Sequence, residues 1–150
     1  MAAAMAVLSG QNAEFFIHCG DVGGERVIDQ LAGKPSAFVW GNNDFDRPTL
    51  AQYAQSLGIS CLDEFGDLTL AGKRFAILHG DDSRLREQLL LEQRHDYMLQ
   101  GHTHIRQDQR VGAIRMINPG ALFRAAKKTV AVLDTATDRL SFLAVNVPGR

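Results

Sequence analysis

The sequence predicts a layered α/β domain. Three observations carry this expectation. The first half alternates short apolar runs with amphipathic stretches, in the manner of βαβ units. The second half is dominated by paired runs of hairpin type. Four of the predicted strands end in polar turns that contain glycine. Parallel units followed by hairpins make a mixed sheet covered by helices.

Residues 1–10 are predicted helical, because Ala, Met and Leu are strong helix formers and Ser9-Gly10 reads as a stop. Residues 13–18 form a short apolar run that ends at Cys19-Gly20-Asp21, a buried strand and its turn. Residues 24–32 place Val27, Ile28 and Leu31 on one helical face, with Gly33 as the stop. Residues 36–40 read as a second buried strand, followed by Gly41-Asn42-Asn43-Asp44. Pro48 sits in the first turn of a helix predicted over 48–57, and Gly58 follows its end.

Beyond this point the pattern changes. Residues 67–71 and 74–79 flank Gly72-Lys73 and read as a hairpin. Residues 83–95 make a charged amphipathic helix. Residues 97–100 are a strand running into Gly101-His102-Thr103-His104, and 113–117 a strand ending at Asn118-Pro119-Gly120. Residues 129–134 and 140–145 alternate apolar and polar side chains as a last hairpin.

The 150 residues suit one domain with a substantial core, and no linker or repeat divides them. A hydrophobic share of 45% and a charged share of 22% are those of an ordinary globular chain. The net charge of −1 argues against a strong nucleic-acid footprint or an acidic membrane surface. The basic groups nearest to clusters, Arg124 with Lys127 and Lys128 and the Arg84/Arg86 pair, read as solvated surface. No apolar run approaches the roughly 20 residues of a membrane span. Cys19 and Cys61 lie far apart without CxxC spacing, so a reducing, cytoplasmic setting is expected.

The chemistry lies in four turns, each after a predicted strand: His18-Cys19-Gly20-Asp21, Gly41-Asn42-Asn43-Asp44, His79-Gly80-Asp81 and Gly101-His102-Thr103-His104. Open α/β sheets bind ligands beyond the carboxyl ends of their strands, so turns far apart in sequence can converge. Imidazole, carboxylate and amide together suit a divalent ion such as Mn²⁺, Fe²⁺ or Zn²⁺, and the near absence of thiolate argues against a structural zinc site.

Each turn also has a plainer explanation. Asp21 alone would be read as a helix N-cap, and Asn42-Asn43-Asp44 as an Asx-turn. His79 alone would be a satisfied polar residue at a strand end, His18 a structural side chain, His95 a helix-surface residue and Cys19 a small buried hydrophobe. Two histidines bracketing one residue in a glycine turn have no packing role of that kind. It is the four turns together that point to a metal centre.

In these motifs, taken in order, the chain resembles the metallophosphoesterase (calcineurin-like phosphoesterase) superfamily. More narrowly, it is similar to the small bacterial and archaeal phosphodiesterases. The Gly-Asp block matches Gly20-Asp21, the Gly-Asn-x-Asp block Gly41 to Asp44, the lone-His block His79-Gly80, and the Gly-His-x-His block Gly101 to His104. Asn118-Pro119-Gly120 is also typical of the small members. The resemblance implies a four-layer α-β-β-α sandwich with two metal ions on one rim. It implies that Asp21 bridges both ions, that Asn42, His79 and His102 complete one site, and that His104 serves the other. Asp21, Asn42 and His102 would carry catalysis. The implied cofactor is a divalent metal, Mn²⁺ first and Fe²⁺, Zn²⁺ or Ni²⁺ as alternatives. The implied reaction is hydrolysis of a small or nucleotide-like phosphodiester by hydroxide made available at the metal.

The family also carries an Asp-x-His turn after a first strand, and no Asp-x-His occurs in residues 1–20. The expectation is therefore an N-terminally truncated domain whose second ion has only Asp21 and His104, with one metal bound or two. Unpaired strand edges would favour a homodimer. Asn43 stands where larger members place a His that protonates the leaving group. The alternative from a different class is a metal-poor scaffold of the same fold that binds a protein partner, for which a retromer subunit of the superfamily is the precedent.

Overall fold

The structure, a computed structural model, describes residues 1–146. Helix α1 (Ala2–Ser9) leads into β1 (Phe16–His18), α2 (Glu25–Ile28) with a 3-10 turn over Asp29–Leu31, β2 (Ser36–Phe38), α3 (Arg47–Ser56) and β3 (Ser60–Cys61). These three strands form one parallel sheet in the order β1-β2-β3. A second sheet follows from β4 (Phe65–Leu70), β5 (Lys73–Leu78), β6 (Tyr97–Leu99), β7 (Gln107–Val111) and β8 (Ile114–Asn118), in the order β4-β5-β6-β8-β7. Helix α4 (Ser83–Glu92) connects β5 to β6, and β9 (Thr129–Asp134) and β10 (Arg139–Ala144) pair as an antiparallel hairpin.

The two-residue period of the strands builds the layers. In the first sheet, Phe38 and Trp40 face the helices, packing with Met5, Ile28, Leu31, Leu50 and Ala54. Val39, one residue out of phase, points the other way and packs with Phe75, Ile77, Tyr97 and Ile117 of the second sheet. On that sheet's far face, Ala76, Leu78, Met98 and Met116 pack against Leu89 of α4. Helices, sheet, sheet and helix thus succeed one another, as the four-layer α-β-β-α expectation requires. The hairpin joins the central layer through Leu133 and Leu140 and reaches α1 through Val130, which packs near Ala4.

The element boundaries differ from expectation where pairing decides them. The first strand begins at Phe16 rather than residue 13. Its partner β2 starts at Ser36, and the residue before that is Pro35, which has no N–H for a ladder. Two strands escaped sequence reading. Ser60–Cys61 is too short to show a period, and Gln107–Val111 is polar throughout its centre and exists because β8 pairs with it antiparallel. The last charged helix stops at Glu92, with Gln93 in the left-handed region. His95, expected on its surface, lies beyond it and is buried, 5% exposed, edge-on to Phe65 and 3.3 Å from the Asp67 carboxylate. Among the described residues no helix is long and apolar enough to cross a membrane.

Candidate metal centre

The four polar turns follow β1, β2, β5 and β6; β1 runs parallel to β2 in the first sheet, and β5 runs parallel to β6 in the second. Parallel strands deliver their carboxyl ends to one edge, so the two sheets bring Asp21 and Asn42 from one side and His79 and His102 from the other. Glycine makes the approach possible. A Cβ at Gly20, where φ is +88°, would lie 2.6 Å from His79 Nδ1. A Cβ at Gly41 would collide with the Asp21 carboxylate.

His79 sits at the base, buried, and its ring is oriented by the backbone: Nδ1 donates to the Cys19 carbonyl at 2.8 Å. In the neutral ring that bond leaves Nε2 with a lone pair. Around Nε2 stand Asn42 Oδ1 at 3.1 Å, His102 Nδ1 at 3.3 Å and Asp21 Oδ1 at 3.5 Å. The His79 and His102 rings meet edge-on with centroids 5.1 Å apart. In the His102 tautomer that leaves Nδ1 a lone pair, these acceptor atoms repel one another unless a cation lies among them, whereas the other tautomer donates from Nδ1 to His79 Nε2. Donors about 2.0–2.2 Å from one ion stand roughly 3–3.5 Å from each other, which is the spacing seen here. A backbone carbonyl behind the metal-facing histidine is also the usual arrangement of such ligands. The donor set therefore fits a divalent cation.

The assembly is not a finished cage. Among the described residues, no group of three or more His, Cys, Asp or Glu is arranged to hold an ion without further movement. The fourth donor is an amide, and the carboxylate is engaged elsewhere. Asp21 Oδ1 accepts from the Asn43 backbone N–H at 2.9 Å, and Oδ2 from the Asn43 side-chain amide at 2.8 Å. Burial pushes the Asp21 carboxyl upward, but Asn43's two bonds and the fields of His79 and His102 outweigh it and hold the group below the ordinary range. Asp21 does not cap α2, whose N-cap is Gly24 with no side-chain bond. His104, the fifth sequence candidate, is exposed, and among the described residues no hydrogen bond joins it to the other four. His102 and His104 are both in the left-handed region, with φ of +63° and +60°, so the turn between them is tightly wound.

Several residues of the same motifs support the site through contacts that the sequence did not reveal. Asp44 builds the turn before α3, accepting from Gly41 N at 2.7 Å and Gly23 N at 2.8 Å. The loop reading of that segment holds for Asp44 and leaves Asn42 free to face His79. Asn118, fully buried, donates to the Gly101 carbonyl at 2.7 Å and to Thr103 Oγ1 at 3.1 Å, fixing the turn that carries His102. Burial raises the Cys19 thiol to about 12, so it offers no thiolate to the site. Burial also keeps His18 below the ordinary imidazole value, and its Nδ1 has no hydrogen-bond partner.

Comparison with known proteins agrees with this architecture. A family model described as the calcineurin-like phosphoesterase superfamily domain matches residues 1–138. The chain is 28% identical over 137 residues to the phosphodiesterase MJ0936 of Methanocaldococcus jannaschii, covering 88% of this chain and 82% of that protein. A solved structure of an archaeal phosphodiesterase superposes with a TM-score of 0.86 at 25% identity, covering 93% of this chain and 88% of that one. Two more distant neighbours share the fold. Vps29 of Entamoeba histolytica complexed with zinc has a TM-score of 0.67 at 16% identity, covering 95% and 88% of the two chains. The E. coli phosphoesterase YfcE has 0.62 at 19% identity, covering 97% and 92%.

Proposed function

The chain belongs to the calcineurin-like phosphoesterase superfamily, and on that premise we propose that it is a divalent-metal-dependent phosphodiesterase acting on small, nucleotide-like phosphodiesters. The observation that supports the metal dependence is the convergence of Asn42 Oδ1, His102 Nδ1 and Asp21 Oδ1 on His79 Nε2. Asp21, Asn42, His79 and His102 would hold the ion, and Asp21 with His104 would serve a second. The preferred metal in this reading is Mn²⁺, with Fe²⁺, Zn²⁺ and Ni²⁺ compatible with the same donors. A divalent cation there supplies the positive charge that polarises a phosphoryl oxygen and makes hydroxide available near neutral pH.

The chain's own residues have defined tasks. The Cys19 carbonyl fixes the tautomer of His79. Asn43 keeps Asp21 ionised and turned toward the centre. Asn118 and Thr103 hold the His102 turn. Asn43, in the place where a general acid would stand, has no titratable proton, so substrates with good leaving groups are preferred.

The test is hydrolysis of a chromogenic phosphodiester with and without added Mn²⁺, using Asp21→Ala as the control. Manganese-dependent turnover lost in Asp21→Ala supports the reading. Equal turnover in both proteins overturns it. Counting bound metal separates two ions per protomer from one, and none at all would point to a scaffold.

A further inference from the structure

We infer that Arg47 and Glu64 form a positioning clamp for the metal centre, an inference that rests on the reading of that centre as a cation site. Arg47 is the first residue of α3, five residues beyond Asn42, and its guanidinium reaches back to the segment that carries this proposed ligand. Nη2 donates to the Gly41 carbonyl at 2.9 Å and Nε to the Asp44 carbonyl at 3.3 Å, so one planar group holds both ends of Gly41-Asn42-Asn43-Asp44. The remaining nitrogen, Nη1, donates to Glu64 Oε1 at 2.7 Å.

Glu64 lies between β3 and β4, immediately before the first strand of the second sheet. The clamp therefore ties the turn that carries Asn42, on the first sheet, to the start of the sheet that carries His79 and His102. The backbone reinforces the same junction, since Trp40 N donates to the Asp63 carbonyl at 2.7 Å. A cavity of about 180 Å³ is lined by Arg47 and Glu64 together with Gly41 and His79, which puts the clamp beside the ligands it serves. The donor spacing at the centre depends on how the two sheets meet, because Asn42 Oδ1 and His79 Nε2 are contributed from opposite sides of that junction. Three bonds diverging in one plane require a guanidinium. A lysine ammonium has no such fork.

The ion pair by itself is of little consequence for stability, with side chains 36% and 75% exposed. Its effect is expected on metal affinity instead. The measurement is calorimetric titration of Mn²⁺ into metal-free protein, with melting temperature followed in parallel. Arg47→Ala is expected to weaken Mn²⁺ binding about 10- to 100-fold, the usual effect of removing a group that orients a ligand. Arg47→Lys is expected not to restore it. Glu64→Ala should weaken binding in the same direction, and the double variant should be no worse than Arg47→Ala, because the two act as one unit. Wild-type affinity in Arg47→Ala overturns the clamp, as does full affinity in Arg47→Lys, which carries the test if the alanine variant does not fold. Asp21→Ala is the reference. If it binds Mn²⁺ as tightly as the wild type, the metal-centre reading itself fails, whereas loss in Asp21→Ala with no loss at Arg47 removes only the clamp.

Discussion

Asn43 holds Asp21 by two bonds at once, its backbone N–H on Oδ1 and its side-chain amide on Oδ2, at 2.9 and 2.8 Å. One residue thereby saturates both carboxylate oxygens along one edge and presents the remaining lone pairs toward His79 Nε2, 3.5 Å away. The consequence is a carboxylate that is fixed in direction and kept ionised before any ligand arrives. Asn43→Ala removes the side-chain half of that grip. We expect metal-dependent turnover to fall about 10- to 100-fold, while the exposed position limits the stability cost to about 1 kcal/mol. Steady-state kinetics alongside thermal melting check this. Unchanged turnover would show that Asp21 does not need the orientation.

Gly41 stands where a methyl group has no room, since its Cβ would meet the Asp21 carboxylate and backbone. Gly41→Ala must push the Asn42 turn away from Asp21. Overpacking of this kind costs about 1–3 kcal/mol, and it displaces two of the proposed metal donors, Asp21 and Asn42, together. The expected result is a folded protein with Mn²⁺ affinity and activity both severely reduced. A variant that keeps full affinity would mean that the two turns can separate freely.

The buried Asn118 amide satisfies Gly101, Thr103 and, through its oxygen, the Gly120 N–H at 2.9 Å. Asn118→Ala leaves the Gly101 carbonyl and Gly120 N–H without these partners. An unsatisfied buried group costs about 1–3 kcal/mol, so the melting temperature should drop by roughly 2–12 °C. Differential scanning calorimetry reads it directly. Asn118→Asp is the informative companion, because it keeps the acceptor for Gly120 and loses the donor for Gly101.

Away from the centre, Asp138 joins the β9–β10 turn to the second sheet by accepting from Tyr97 Oη and Arg115 Nη1, each at 2.8 Å. The hydrogen bonds from Tyr97 and Arg115 hold its carboxyl below the ordinary range, and Arg115 does the same for Asp108. A carboxyl whose folded pKa is depressed binds fewer protons in the native state than in the unfolded chain. Its stabilisation is therefore full above the unfolded value of about 3.9 and disappears as pH falls through the lower folded value. Melting curves should show Asp138→Asn less stable than the wild type at pH 7, with the gap closing below about pH 3–4. A gap that stays constant with pH would assign the effect to packing rather than charge.

Much of the architecture is legible in the residue pattern alone. Strand and helix types followed from period, because Phe38 and Val39, or Ala76 and Ile77, must face opposite layers whatever partners they find. The types of candidate donor and their placement after strands followed from the glycine turns, and the motif order made the family legible. The side-chain partnerships were decided only by the tertiary structure. Asn43 meets Asp21 across 22 residues, His79 meets the Cys19 carbonyl across 60, and Arg47 meets Glu64 across 17. Such pairs leave no local pattern, because sheet register and the packing of one sheet on the other set their distances. The same reason hid Gln107–Val111, a strand made by its neighbour β8, and misplaced His95, which looks like helix surface until the chain turns it against Phe65. Local physics specified what each segment offers, while the meeting of the two sheets specified which offers are taken up.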